Sequence, residues 1–131
     1  MAAKRKARKP RKRSTWGPEF DLQSSYFDWL DIAFPKERQT IFAIPNGAKT
    51  SKIQGYKLKR EGLTAGMPDI MIAIPKGLFH GAFIEFKIKP NKPSILQKDK
   101  ISKLKAQGYM VEVCYDIDAA MLITKNYLNQ I

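Results

Sequence analysis

Residues 69–74 read Asp-Ile-Met-Ile-Ala-Ile, a run with no polar residue after its first. Such a run suits a strand covered on both faces, because a half-exposed strand alternates apolar with polar side chains. The chain must therefore supply packing layers on both sides of a sheet, and its 131 residues are enough for one compact core and too few for two ordinary ones.

The flanking segments supply those layers. From Pro18 to Phe34, apolar residues recur at three- and four-residue intervals (Phe20, Leu22, Tyr26, Phe27, Leu30), with proline at a position suited to the first turn. This spacing predicts an amphipathic helix that stops before Pro35. Gln39–Ile44 is rich in β-formers and runs into Pro45-Asn46-Gly47, a turn signal. The stretch 49–66 is polar and basic, with a short helix expected around Ile53–Arg60. After the apolar run, Pro75-Lys76-Gly77 turns the chain, and His80–Ile88 reads as a strand paired with the one before. Ser94 caps a helix to about Gln107, ended by Gly108. Tyr109–Tyr115 is a further strand, and Asp118–Leu128 a closing helix with an aspartate cap. The order αβββαβα describes an α/β fold, a mixed sheet flanked by helices.

Charge is unevenly spread. The formal net charge is +12, and eight cations lie in the first 13 residues: Lys4, Arg5, Lys6, Arg8, Lys9, Arg11, Lys12 and Arg13. Without them the remainder stands at +4. Like charges with few apolar neighbours do not order a chain, so residues 1–15 read as a basic arm and 16–131 as the folded domain. The arm favours a polyanionic partner, with localisation and solubility as the other roles open to such a run. The lone Cys114 excludes an internal disulfide framework and points to a reducing, intracellular setting. No stretch approaches the ~20 apolar residues of a membrane span, and no signal-peptide pattern is present.

Chemistry concentrates on the two central strands. Asp69 follows Pro68 at the start of one, and Glu85 and Lys87 lie two apart on the next. Alternation places Glu85 and Lys87 on one face and Ile84, Phe86 and Ile88 on the other. If the strands pair as a hairpin, Asp69 comes beside Glu85, giving two carboxylates and an ammonium in a small volume. Clustered carboxylates repel unless a hard cation sits between them, and Mg²⁺ is held by one or two carboxylates together with waters and phosphate oxygens. Lys87 then orients the attacking water or neutralises charge in the transition state. With five glutamates and 18 lysines, chance yields roughly 0.7 Glu-x-Lys triplets. The bland reading is a salt-bridged pair on an exposed strand edge. Position on consecutive β-runs, with turn residues between them, argues against it.

At these residues the sequence resembles the virus-type replication-repair nuclease (VRR-NUC) domain, a branch of the PD-(D/E)xK nucleases. The resemblance spans residues 18–131 through Glu19-Phe20-Asp21-Leu22-Gln23, Ile44-Pro45-Asn46-Gly47, the segment from Lys59 to Asp69, Ile84-Glu85-Phe86-Lys87, and Gln97 in the helix after Ser94. It implies an αβββαβ nuclease core, dependence on Mg²⁺ or Mn²⁺, and endonuclease action on DNA. By position, Asp69 and Glu85 match the metal-binding acids, Phe86 a carbonyl ligand, Lys87 the catalytic lysine, Glu19 the helix acid that supports the metal, and Gln97 a glutamine near the site. Asp21 or Asp28 are alternatives to Glu19, and Asn46 is a turn former or a nucleic-acid ligand. Stand-alone members resemble junction nucleases, some of them homodimeric, which implies branched DNA and a second copy as partners, in a bacterial or phage-infected cell. The competing expectations are a non-catalytic DNA-binding protein on a nuclease-like fold and an RNA-associated basic protein. The latter leaves Asp69 and Glu85 unexplained.

His80, the only histidine, has no zinc-type ligand set around it in sequence, and Cys114 sits in an apolar strand. His80 is expected to be structural or exposed, and Cys114 buried and inert. Tyr26, Phe27 and Trp29 are expected in core packing or a dimer face, and Trp16 as an exposed contact.

Overall fold

A computed structural model describes residues 15–45 and 51–131. The basic arm through Ser14 and the turn residue Asn46 lie outside these described residues.

The first helix, α1 (Pro18–Ala33), begins with proline at its first turn, and its four-residue spacing aims Leu22, Tyr26 and Leu30 at the core. A 3-10 turn (Glu37–Thr40) precedes β1 (Ile41–Ala43). The β-rich run from Gln39 is thus strand only from Ile41. Its first residues are wound by Arg38, whose guanidinium Nη1 donates to the Ile41 carbonyl (2.8 Å). Helix α2 (Lys52–Arg60) starts at Ser51, whose hydroxyl accepts from Gln54 N–H. Strands β2 (Ile70–Ile72) and β3 (Ala82–Phe86) follow, then α3 (Ile95–Ala106), β4 (Met110–Cys114) and α4 (Ile117–Leu128). Each strand is shorter than its apolar run, since the ends leave the sheet to turn or to reach the site.

The closing helix corrects one expectation. Its cap is Asp116, not Asp118: the Asp116 carboxylate accepts from Ala119 N–H at 2.7 Å, and Asp118 falls inside the first turn. Both aspartates fit the cap pattern in sequence, and β4 ending at Cys114 decides between them.

The sheet order is β1-β2-β3-β4. The first three strands are antiparallel, with Ile41 opposite Ile72 and Ile70 opposite Ile84. β3 and β4 are parallel, with Phe86 opposite Cys114 and α3 as the crossover. Ile70, Ile72, Ala82, Ile84, Phe86 and Cys114 face α1 and α4 and form the main core. Burying each large aliphatic or aromatic residue there contributes about 1.5–3 kcal/mol. The Tyr26 hydroxyl, 2.7 Å from Thr124 Oγ1, satisfies both buried hydroxyls and ties α1 to α4. Phe27 and Trp29 pack against this core, as expected of core aromatics, while Trp16 is 70% exposed. The opposite face of the sheet carries Met71, Phe83 and Glu85, covered by α2, its following loop and α3. An α/β fold with both sheet faces covered is what the unbroken apolar run required.

Candidate active site

Asp69 is the last residue before β2, and its carbonyl still accepts a sheet bond from Ile44 N–H (2.7 Å). Its side chain turns across to β3, where Oδ2 accepts from Phe86 N–H at 2.7 Å. N–H and C=O of one residue leave an extended strand on the same side, so the Phe86 carbonyl emerges toward Asp69 as well. Glu85, one residue earlier, points to the α3 side and is only 3% exposed. Its Oε1 accepts from Gln97 Nε2 (3.0 Å) and lies 3.5 Å from Lys87 Nζ. The alternation read from the sequence is therefore realised, with Glu85 and Lys87 together on one face and Ile84 and Phe86 in the core.

Gln97 is fixed from its other end. Ser94 and Gln97 form a reciprocal capping box, in which Ser94 Oγ accepts from Gln97 N–H (3.2 Å) and Gln97 Oε1 accepts from Ser94 N–H (2.9 Å). One glutamine side chain thus closes the start of α3 and orients Glu85. Gly66 brings the preceding loop against this turn: at φ 83°, a Cβ there would sit 2.8 Å from Leu96 Cγ and 3.1 Å from its carbonyl oxygen.

The electrostatics follow from burial and crowding. Desolvation raises Asp69 above its ordinary range, and the Glu19 charge adds to this, while the Phe86 amide and Lys87 oppose it. Burial, then repulsion from Asp69, pushes Glu85 up to about 7 against the pull of Lys87. Two acids that resist losing both protons form a site that lacks positive charge.

This donor set suits a hard divalent cation. Asp69 Oδ2 is held by the Phe86 amide, Glu85 Oε1 by Gln97 and Lys87, and the two carboxyls also hydrogen-bond to each other, so a cation would be held by this carboxylate pair with the Phe86 carbonyl. Among the described residues no three histidine, cysteine, aspartate or glutamate side chains gather into a cage. Mg²⁺ needs none, since one or two carboxylates plus waters suffice. Glu19, in the first turn of α1, lines a cleft with Asp69 and Phe86; neither Asp21 nor Asp28 does. The two candidates of lesser standing in sequence, Glu19 and Gln97, are thus both brought to the pair. His80 is exposed, its ring against Tyr109, and Cys114 is buried, which pushes its thiol up to about 12.

Sequence reasoning missed two features. The first is Arg38, which lines the Glu19 cleft. The second is the place at the site of α2, expected only as a short helix in a basic stretch: it carries Lys52, Lys57, Lys59 and Arg60 with no acid and an exposed Tyr56, and its Lys59 lines a second cleft running to Asp69 and Gln97. Cations interleaved with an aromatic at helical spacing were the available signal.

This arrangement can be compared with known proteins. The family model for the VRR-NUC domain matches residues 4–116, most of the chain. The chain belongs to the VRR-NUC family. A solved structure described as a VRR_NUC domain protein is 28% identical, with 86% of this chain and 88% of that chain covered and a TM-score of 0.74. No curated protein matches. The VRR-NUC domain is a nuclease-type domain, and the mixed sheet with flanking helices is its core. Among the described residues, no helix is long and apolar enough to cross a membrane.

Proposed function

We propose that this VRR-NUC chain is a metal-dependent DNA endonuclease that hydrolyses phosphodiester bonds, with Asp69 and Glu85 as the metal-holding acids. The observation that carries this reading is the buried Asp69 and Glu85 pair, braced by Phe86 N–H, Gln97 and Lys87. A merely structural ion pair would not set a second carboxylate against the first, because that costs stability until a cation arrives.

Mg²⁺ or Mn²⁺ bound there would supply Lewis acidity toward the phosphate and a water of lowered pKa. The residues do the positioning. Asp69 is aimed by the Phe86 amide, Glu85 by Gln97, and Glu19 adds negative charge at the rim. Lys87, drawn inward by Glu85, has the reach to orient the water or to neutralise charge on the phosphorane.

The charge layout supports a polyanionic substrate. α2 and α3 carry Lys52, Lys57, Lys59, Arg60, Lys98, Lys100, Lys103 and Lys105 against one acid, Asp99, whereas α1 has four acids and no base. DNA then approaches over the α2 and α3 layer, the side to which Glu85 and Lys87 point, with the basic arm adding phosphate contacts. On family resemblance, branched DNA is the preferred substrate and a homodimer the active form, since paired cuts need paired sites.

Plasmid nicking with Mg²⁺ and with EDTA tests the reading. Nicking that needs the metal and is lost in Asp69→Asn is expected. DNA binding without cleavage in either metal would replace it with a non-catalytic DNA-binding role. Light scattering on a four-way junction tests the dimer, and a monomer both free and bound would remove it.

A further inference from the structure

The cleft beside Glu19 is not needed to hold a phosphate at Asp69, yet it opens directly onto that residue. It encloses about 510 Å³ between α1 and the outer edge of β1. β1 pairs only with β2, and the register directs Phe42 and Ile44 to that partner. Ala43 therefore carries its N–H and C=O on the open edge, where it lines the cleft. Phe20 lines the opposite wall, 43% exposed, with Trp16 packed on it at 4.7 Å between ring centres. Gln23, one turn along, adds an amide.

The charge of the cleft selects among occupants. Glu19 and Asp69 stand at one end. The lone cation in the lining, Arg38, is ion-paired elsewhere: its Nε lies 3.0 Å from Asp31 Oδ1 without a hydrogen bond, its Nη1 donates to the Ile41 carbonyl, and its guanidinium carbon lies 4.6 Å from the Phe27 ring centre. Beyond the acids that a metal at Asp69 and Glu85 would compensate, the cleft lining offers a phosphate no further cation. A flat, neutral group with hydrogen-bonding edges would meet an aromatic face, an amide and an open strand edge. The volume is that of a small-molecule pocket and has room for one nucleotide.

We infer that this cleft is a nucleobase subsite, which receives an unpaired base next to the phosphate held at Asp69 and Glu85. The inference rests on the nuclease reading and deepens it: the scissile strand runs over the basic layer, and one base leaves the stack to lie on Phe20. Preference for unpaired or branched DNA then has a cause within a single chain.

The test uses the full-length protein and DNA duplexes of one sequence that differ at the nucleotide beside the cut: paired, unpaired, or an unpaired abasic residue. The abasic duplex separates recognition of a base from mere backbone flexibility. Cleavage of the unpaired duplex about tenfold faster than the abasic one is expected, the size of one base–aromatic stack. Phe20→Ala should collapse that ratio, and Phe20→Tyr should restore it. Equal rates on unpaired and abasic duplexes, or a ratio untouched by Phe20→Ala, overturn the subsite. Binding in EDTA gives a readout independent of catalysis: 2-aminopurine at the unpaired position should be quenched by wild type and not by Phe20→Ala, with thermal melts confirming that the variant is folded. Absence of cleavage on every duplex would remove the nuclease reading while the quenching still decides the subsite, and absence of quenching by wild type overturns the subsite.

Discussion

Glu85 is a carboxyl held by the fold against its own ionisation. Its value moves from an ordinary 4.5 to about 7 through burial and the Asp69 charge. Below the lower value both folded and unfolded chains hold the proton. Between the two, the unfolded chain releases it and the folded chain keeps it, so stability falls as pH rises through this window and levels off above it. Asp69 shifts in the same direction. In EDTA, the melting temperature is therefore expected to drop between about pH 4.5 and 7, and Glu85→Gln to flatten that drop. Mg²⁺ at pH 8 should raise the melting temperature of wild type and not of Glu85→Gln. Kinetics belong to the same scale. Asp69→Asn or Glu85→Gln is expected to lower metal-dependent cleavage about a thousandfold, corresponding to about 4 kcal/mol of lost transition-state stabilisation. Lys87→Met should lower the maximal rate and, because its charge now opposes the rise of Glu85, move the pH profile upward. A Lys87→Met enzyme with an unchanged pH profile would show that the ammonium does not act on Glu85.

At the scale of elements, the start of α3 is the part that binds structure to chemistry. Ser94→Ala removes a cap worth about 1 kcal/mol and frees the backbone partner of Gln97. A lower melting temperature and several-fold slower cleavage are expected together. Gln97→Glu is the sharper probe, because glutamate serves a capping box as well as glutamine does. Helicity should survive, while the donor to Glu85 is replaced by a third acid, so cleavage should fall far more than stability. Equal losses in both would make Gln97 a cap and nothing more. The elements themselves were largely legible, because apolar spacing reports which faces are buried. Glu85 and Lys87 were legible for the same reason, since strand alternation fixes their face, and Asp69 was legible through the hairpin pairing that sets it beside Glu85. The Arg38 contacts were not, since they join α1, the 3-10 turn and β1 across the tertiary fold. The choice of Asp116 over Asp118 as cap likewise depends on where a neighbouring strand ends.

The whole molecule is electrically two-sided, acidic along α1 and basic along α2 and α3. Binding to DNA measured against salt should reflect that polarity. Replacing Lys59 and Arg60 with glutamate is expected to reduce the logarithmic salt slope by about 2 units, at roughly 0.9 per phosphate contact. Lys125→Glu on α4 serves as the comparison and should leave the slope nearly unchanged. Deleting residues 2–13 should reduce it by about 3 to 4 units if half of the arm's cations engage, with single-turnover cleavage within a few fold of wild type. An unchanged slope would reduce the arm to a solubility device.

The family match ends at residue 116, one residue before α4 begins. Yet α4 supplies Ala120, Tyr127 and Leu128 to the main core and the only hydroxyl that the Tyr26 side chain meets among the described residues. The recognisable stretch of sequence and the cooperative unit are therefore different objects. A chain cut after residue 116 would keep every acid, the lysine and the glutamine of the site, and would bare the part of the sheet and of α1 that α4 covers. Such a fragment should show no cooperative melt and should expose that surface to a hydrophobic dye. Its silence in a cleavage assay would then say nothing about the chemistry.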